Sequence, residues 1–188
     1  DLHLLSRRQR QMCIRDSVES VRQHAFTLIS AETGSGKSTQ IPQYLAEHYS
    51  QIIVTEPRIM AAKTLATRVA EEMDVTLGEE VGYRTSYDKC ASESSKILYC
   101  TDGLQLIRTI FTEDNKAEKV LIIDEVHEWN LNIETLIAWC KFMQNKWNTK
   151  VVLMSATMDA TGLAEFFGED CGVLNIPGTL YELSLIHI

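Results

Sequence analysis

The residues best equipped for chemistry are Gly34, Gly36, Lys37 and Ser38, within the run Ala31-Glu32-Thr33-Gly34-Ser35-Gly36-Lys37-Ser38. The run nearly satisfies G-x-x-x-x-G-K-[ST], in which glycines let successive backbone N–H groups turn inward onto phosphate oxygens. The expected nucleotide-binding set is Thr33, Gly34, Ser35, Gly36, Lys37, Ser38 and Thr39. Lys37 suits the β- and γ-phosphates of a nucleoside triphosphate, and the Ser38 hydroxyl suits Mg2+. Thr39 offers a second hydroxyl for the α-phosphate. Ala31 stands where the pattern has its first glycine, and a methyl group fits there only if the backbone needs no positive φ.

A second group lies far downstream. Asp124-Glu125-Val126-His127 follows the apolar run Val120-Leu121-Ile122-Ile123. Asp124 would hold Mg2+ together with Ser38, directly or through water, while Glu125 would position and deprotonate an attacking water. Lys37, Asp124, Glu125 and His127 make up the expected catalytic set. An acidic pair after a strand is by itself usually a solvated loop, and a lone histidine usually packs. The phosphate loop upstream gives these residues their chemical meaning.

Positioning the two groups requires strands that end side by side. The sequence predicts strands over 25–30, 51–55, 96–101, 120–123 and 151–154. Helices are predicted over 37–48, 61–73, 103–111 and 133–143, the first bent or interrupted early by Pro42. Val120–Ile123 is apolar throughout, as expected of a strand buried on both faces. Strands alternating with helices imply an α/β fold with a doubly wound, mostly parallel sheet, helices on both faces, and ligands at the carboxyl ends of the strands.

With 188 residues and 45% hydrophobic content, the chain fits one globular domain with a sizeable core. No apolar run is long enough to span a bilayer, so no membrane partner is expected. Five cysteines without a C-x-x-C pair give neither a zinc site nor a disulfide framework, and point to a reducing, cytoplasmic setting. The formal charge of −8 means that affinity for a polyanion must come from a local basic patch or from parts of the protein beyond this sequence.

Both termini read as foreign. Residues 7–16 can be written codon by codon as the transposase adapter of tagmentation libraries, and 183–188 as the mosaic end in the opposite direction. The expectation is that 1–17 and 183–188 are adapter-derived artefacts and that 18–182 is the biological domain. A basic N-terminal arm for nucleic acid is the alternative for the first segment. The outer segments carry four Arg and two Asp, so the inner segment has a formal charge of about −10.

Taken together, the motifs resemble the DEAH/DExH family of superfamily 2 helicases over nearly all of 18–182. Residues 31–43 are similar to motif I, and Asp124-Glu125-Val126-His127-Glu128 with Leu131-Asn132-Ile133 to motif II. Thr55-Glu56-Pro57-Arg58 with Ala61-Ala62 resembles the T-Q-P-R-R-x-A-A segment, and Thr101-Asp102-Gly103 matches the T-D-G motif. Ser155-Ala156-Thr157 matches the S-A-T motif, and Ile176-Pro177-Gly178 resembles the segment leaving the domain.

The resemblance implies a RecA-like P-loop NTPase, the first motor domain of an ATP-dependent RNA helicase, using ATP or another NTP with Mg2+. It implies nucleic-acid contacts at Thr55, Arg58, Thr101, Asp102 and Gly103, and coupling of hydrolysis to strand movement through Ser155 and Thr157. Single-stranded RNA is the implied partner, with DNA as an alternative. A second RecA-like domain of the same protein would supply arginines for the transition state, so the isolated segment would be poorly active. Ile59 replaces the second arginine of its motif, and Glu56 replaces glutamine and adds a negative charge. These two changes and Ala31 motivate a further alternative, a nucleotide-gated binding module with impaired catalysis.

Overall fold

The computed structural model describes residues 14–32, 34–111, 118–157 and 160–176. Helix α1 covers 14–23 and leads into β1 (Phe26–Ala31), followed by α2 (Lys37–Ala46), β2 (Gln51–Glu56) and α3 (Ile59–Glu72). Strands β3 (Val81–Arg84) and β4 (Lys89–Cys90) precede β5 (Ile97–Thr101), α4 (Asp102–Phe111) and β6 (Lys119–Ile123). A 3-10 turn at Val126–Glu128 leads to α5 (Leu131–Met143), β7 (Thr149–Ser155), α6 (Ala160–Phe167) and β8 (Cys171–Ile176).

The strands form one sheet in the order β4-β3-β5-β2-β6-β7-β1-β8, parallel except where β4 turns back on β3. One core packs α1, α2 and α3 against Ile29, Val54, Tyr99, Ile122 and Met154. The other packs α4, α5 and α6 against Leu28, Leu121, Ile123 and Leu153. Adjacent residues of one strand thus point into different cores, which is why Val120–Ile123 is apolar at every position. The expected doubly wound sheet is the observed one.

Two differences concern the secondary structure. Helix α2 runs through Pro42 without a break. The short pair β3–β4 and strand β8 carry too little regular periodicity to stand out. Helix α1 runs continuously through residue 17. Ile14, Ser17, Val18 and Val21 form its buried face, so its first turn is seated with the rest.

Candidate nucleotide site

Strand β1 delivers the chain into the loop at 32–36, and α2 carries it away. Gly34 and Gly36 have φ of 81° and 83°, the left-handed region that β-carbons disfavour. A methyl group on Gly36 would meet Gln40 only at ordinary contact distance, so backbone conformation is what requires glycine there. Ala31 is still in β1, paired with Ile176, and its φ is not positive. The departure from the glycine pattern is therefore free of strain. No side chain caps α2 at Gly36, leaving its first N–H groups open to an anion. Thr33 lies outside the described residues.

The carboxylates meet this loop from β6. Asp124 is 1% exposed, and its N–H donates to the Thr55 carbonyl at 3.1 Å, fixing it beside the end of β2. Its Oδ1 accepts the Glu125 N–H at 2.7 Å, while Oδ2 is buried without a hydrogen-bond partner. Glu125 has a left-handed backbone, φ 53° and ψ 38°, a cost of order 1–3 kcal/mol for a side-chain-bearing residue. That turn aims its carboxylate at Lys37, whose Nζ lies 3.5 Å from Oε1. Lys37 is itself only 6% exposed.

His127 ties the centre to the next strand. Its Nδ1 is 3.2 Å from Glu125 Oε2 and 3.2 Å from Ser155 Oγ at the end of β7. The Thr157 N–H donates to the same Ser155 hydroxyl at 3.3 Å. The structure thus brings Lys37, Ser38, Asp124, Glu125, His127 and Ser155 together.

Burial raises the Asp124 carboxyl pKa, against the pull of the Ser38 hydroxyl, the Lys37 ammonium and the Glu125 N–H. Glu56 is pushed up to about 9 by burial, by Asp124 and by Glu125, with Lys37 opposing. The negative charge expected of Glu56 is opposed here: burial and the two neighbouring carboxylates favour its protonated form, whose shape is close to that of glutamine. Tyr99 is fully buried, and burial with nearby Glu56 and Asp124 raises its hydroxyl pKa.

The residues fit a magnesium ion. Asp124 Oδ2 is a buried oxygen without a hydrogen-bond partner, the Ser38 hydroxyl faces the same carboxyl group, and both are the hard oxygen donors this ion takes. Among the described residues no cluster of three His, Cys, Asp or Glu forms a self-sufficient metal cage. A site completed by phosphate oxygens agrees with that.

A cavity of about 410 Å³ opens beside the loop. It is lined by Lys37, Ser38, Glu125, Thr64, Leu65 and Arg68, among others. Sequence reasoning missed the α3 residues Thr64, Leu65 and Arg68, which carry no motif and matter only because α3 packs along α2.

The residues expected at nucleic acid are placed less uniformly. Arg58 is exposed, and its Nη2 donates to Glu128 Oε1 at 2.7 Å. Thr55 is buried, its hydroxyl without a partner. Asp102 is buried too. Its carboxylate accepts from the Gly103 N–H at 2.6 Å, Asn130 Nδ2 at 2.8 Å and Asn132 Nδ2 at 3.5 Å. Asp102 thus braces the start of α4 against that of α5, whereas Thr101 and Gly103 are half-buried. Thr55 and Asp102 are both buried, so neither presents an exposed side chain to a strand. Pro177 and Gly178 lie outside the described residues.

A family model described as an AAA domain matches residues 20–162. Among curated proteins, "Probable ATP-dependent RNA helicase DHX40" of Homo sapiens is 42% identical over 177 residues, covering 88% of this chain and 22% of that protein. The protein of the same name in Pongo abelii gives the same figures. That of Rattus norvegicus is 41% identical over 176 residues, with the same coverages. The chain therefore spans about a fifth of the length of these relatives.

Proposed function

The chain belongs to the AAA-domain family of P-loop proteins, and from that premise we propose that it is the first motor domain of an ATP-dependent RNA helicase of the DEAH type. The observation carrying this reading is the meeting of Lys37 with Glu125, 3.5 Å apart, beside the partnerless Asp124 oxygen. Loop and carboxylates arrive from strands that are not adjacent, and such convergence on one cavity is what a nucleoside triphosphate requires.

In this reading the open N–H groups of α2 and the Lys37 ammonium bind the phosphates. Ser38 and Asp124 would hold Mg2+, which when bound neutralises phosphate oxygens. Phosphate draws Lys37 away from Glu125, freeing that carboxylate to hold a water and take its proton. His127 holds Glu125 from the other side and passes its position to Ser155 and Thr157. The Arg68 guanidinium and Leu65 form the wall open to the base. Arg58, Thr101 and Gly103 face single-stranded RNA, and a second RecA-like domain of the longer protein supplies further cations. The free thiols of Cys90, Cys100, Cys140 and Cys171 agree with a cytoplasmic setting.

The test is phosphate release from ATP with Mg2+ and single-stranded RNA, by the longer protein carrying this domain, with Glu125→Gln as control. Release that RNA stimulates and the substitution abolishes is expected. Turnover equal to that of the Glu125→Gln protein would remove the catalytic claim, and stimulation by DNA alone would remove RNA as the substrate.

A further inference from the structure

Pro42 lies one turn into α2, where its ring nitrogen carries no hydrogen. The carbonyl four residues earlier, which that hydrogen would have served, belongs to Ser38. The Tyr99 hydroxyl donates to this carbonyl at 2.7 Å. Tyr99 is fully buried on β5, two residues before Thr101, and reaches α2 through the core beneath the sheet's carboxyl edge.

We propose that Tyr99 is a positioning residue for Ser38: its hydroxyl takes the carbonyl left open by Pro42 and so fixes the serine whose hydroxyl faces Asp124. This rests on the proposed nucleotide site and deepens it. The proline removes the backbone bond that the Ser38 carbonyl would accept in the helical ladder, leaving its peptide held only through the Thr39 N–H on Gly36 at 3.2 Å, and its ring crowds the same carbonyl outward. A side chain from a different strand then sets that peptide's orientation. Ser38 carries both the carbonyl that Tyr99 holds and the hydroxyl beside the partnerless Asp124 oxygen, so rotating the peptide moves the hydroxyl. Gln40 and Gln43 instead tie α2 to Glu72 of α3, which fixes the helix without touching the Ser38 carbonyl.

The experiment measures the affinity of the full chain for a fluorescent ADP, with Mg2+ and with EDTA, in wild type, Tyr99→Phe, Pro42→Ala and the double variant. Phenylalanine keeps the buried ring and removes only the hydroxyl. Tyr99→Phe is expected to lose about tenfold in affinity with Mg2+ and less than about twofold in EDTA. Pro42→Ala returns an N–H to the Ser38 carbonyl, so the double variant should recover Mg2+-dependent affinity to within about twofold of Pro42→Ala. Equal losses with and without Mg2+, no loss at all, or a double variant as weak as Tyr99→Phe would each overturn the proposal. Should Tyr99→Phe fail to fold, the comparison of Pro42→Ala with the double variant decides it, and a gap of fivefold or more counts against it. A wild type that binds no nucleotide removes the underlying site, and this inference with it.

Discussion

Glu56 and Asp124 are buried carboxyls at the carboxyl ends of the neighbouring strands β2 and β6, and burial, reinforced by their closeness, raises the pKa of Glu56 to about 9. A carboxyl whose folded pKa lies above its unfolded value contributes stability that is complete below about 4.5 and is lost as pH rises toward 9. Glu56→Gln should flatten the fall across that window and raise stability at pH 8. Asp124, raised in the same direction, leaves a residual slope. Urea midpoints from pH 5 to 9 in EDTA provide the check, and a variant with the parent's full slope would contradict the assignment of the proton.

Asp102 should matter to stability before it matters to RNA. Asp102→Ala strips a common acceptor from Gly103, Asn130 and Asn132, at a cost of about 2 kcal/mol. For a chain of this size that is a fall of roughly 4–8 °C in Tm. A melting temperature unchanged by the substitution would return Asp102 to the role of a free contact.

Arg58 makes the opposite case. It is exposed, and its pair with Glu128 contributes less than about 1 kcal/mol. Arg58→Ala should leave Tm within about 2 °C while weakening single-stranded RNA binding. It should also reduce the slope of log affinity against log salt by about 0.7. A salt slope equal to the parent's would show that this guanidinium meets no phosphate.

Gly172 lets α1 sit close on β8. A β-carbon there would run into Ser20 Oγ and lie 2.9 Å from the His24 ring, while β8 is held in register with β1. Gly172→Ala should therefore destabilise by about 1–3 kcal/mol, read as a shift in urea midpoint. A neutral substitution would mean that α1 does not seat on this strand.

The parts legible in the sequence are those written by local rules. The apolar runs of β1, β6 and β7 declare strands buried on both faces, and Gly34, Gly36, Lys37 and Ser38 declare their turn. What escaped depends on neighbours distant in the chain. Nothing in the order of residues tells that Glu56 is packed against Asp124 and pushed toward its neutral form, or that Asp102 is spent on Asn130 and Asn132 at the start of α5. Pro42 is the sharpest example. It reads as a helix breaker, yet the carbonyl it leaves open is taken by a tyrosine 57 positions later, a partner visible only once β5 lies beside α2.

Strand β7 lies between β1 and β6, so the phosphate loop and the carboxylates hang from strands two places apart, about 10 Å. The tip between them is Ser155, wholly enclosed and touching His127. Paired on both sides, β7 holds that hydroxyl where His127 and the Thr157 N–H share it, so the carboxylate strand and the turn after β7 meet at a single oxygen.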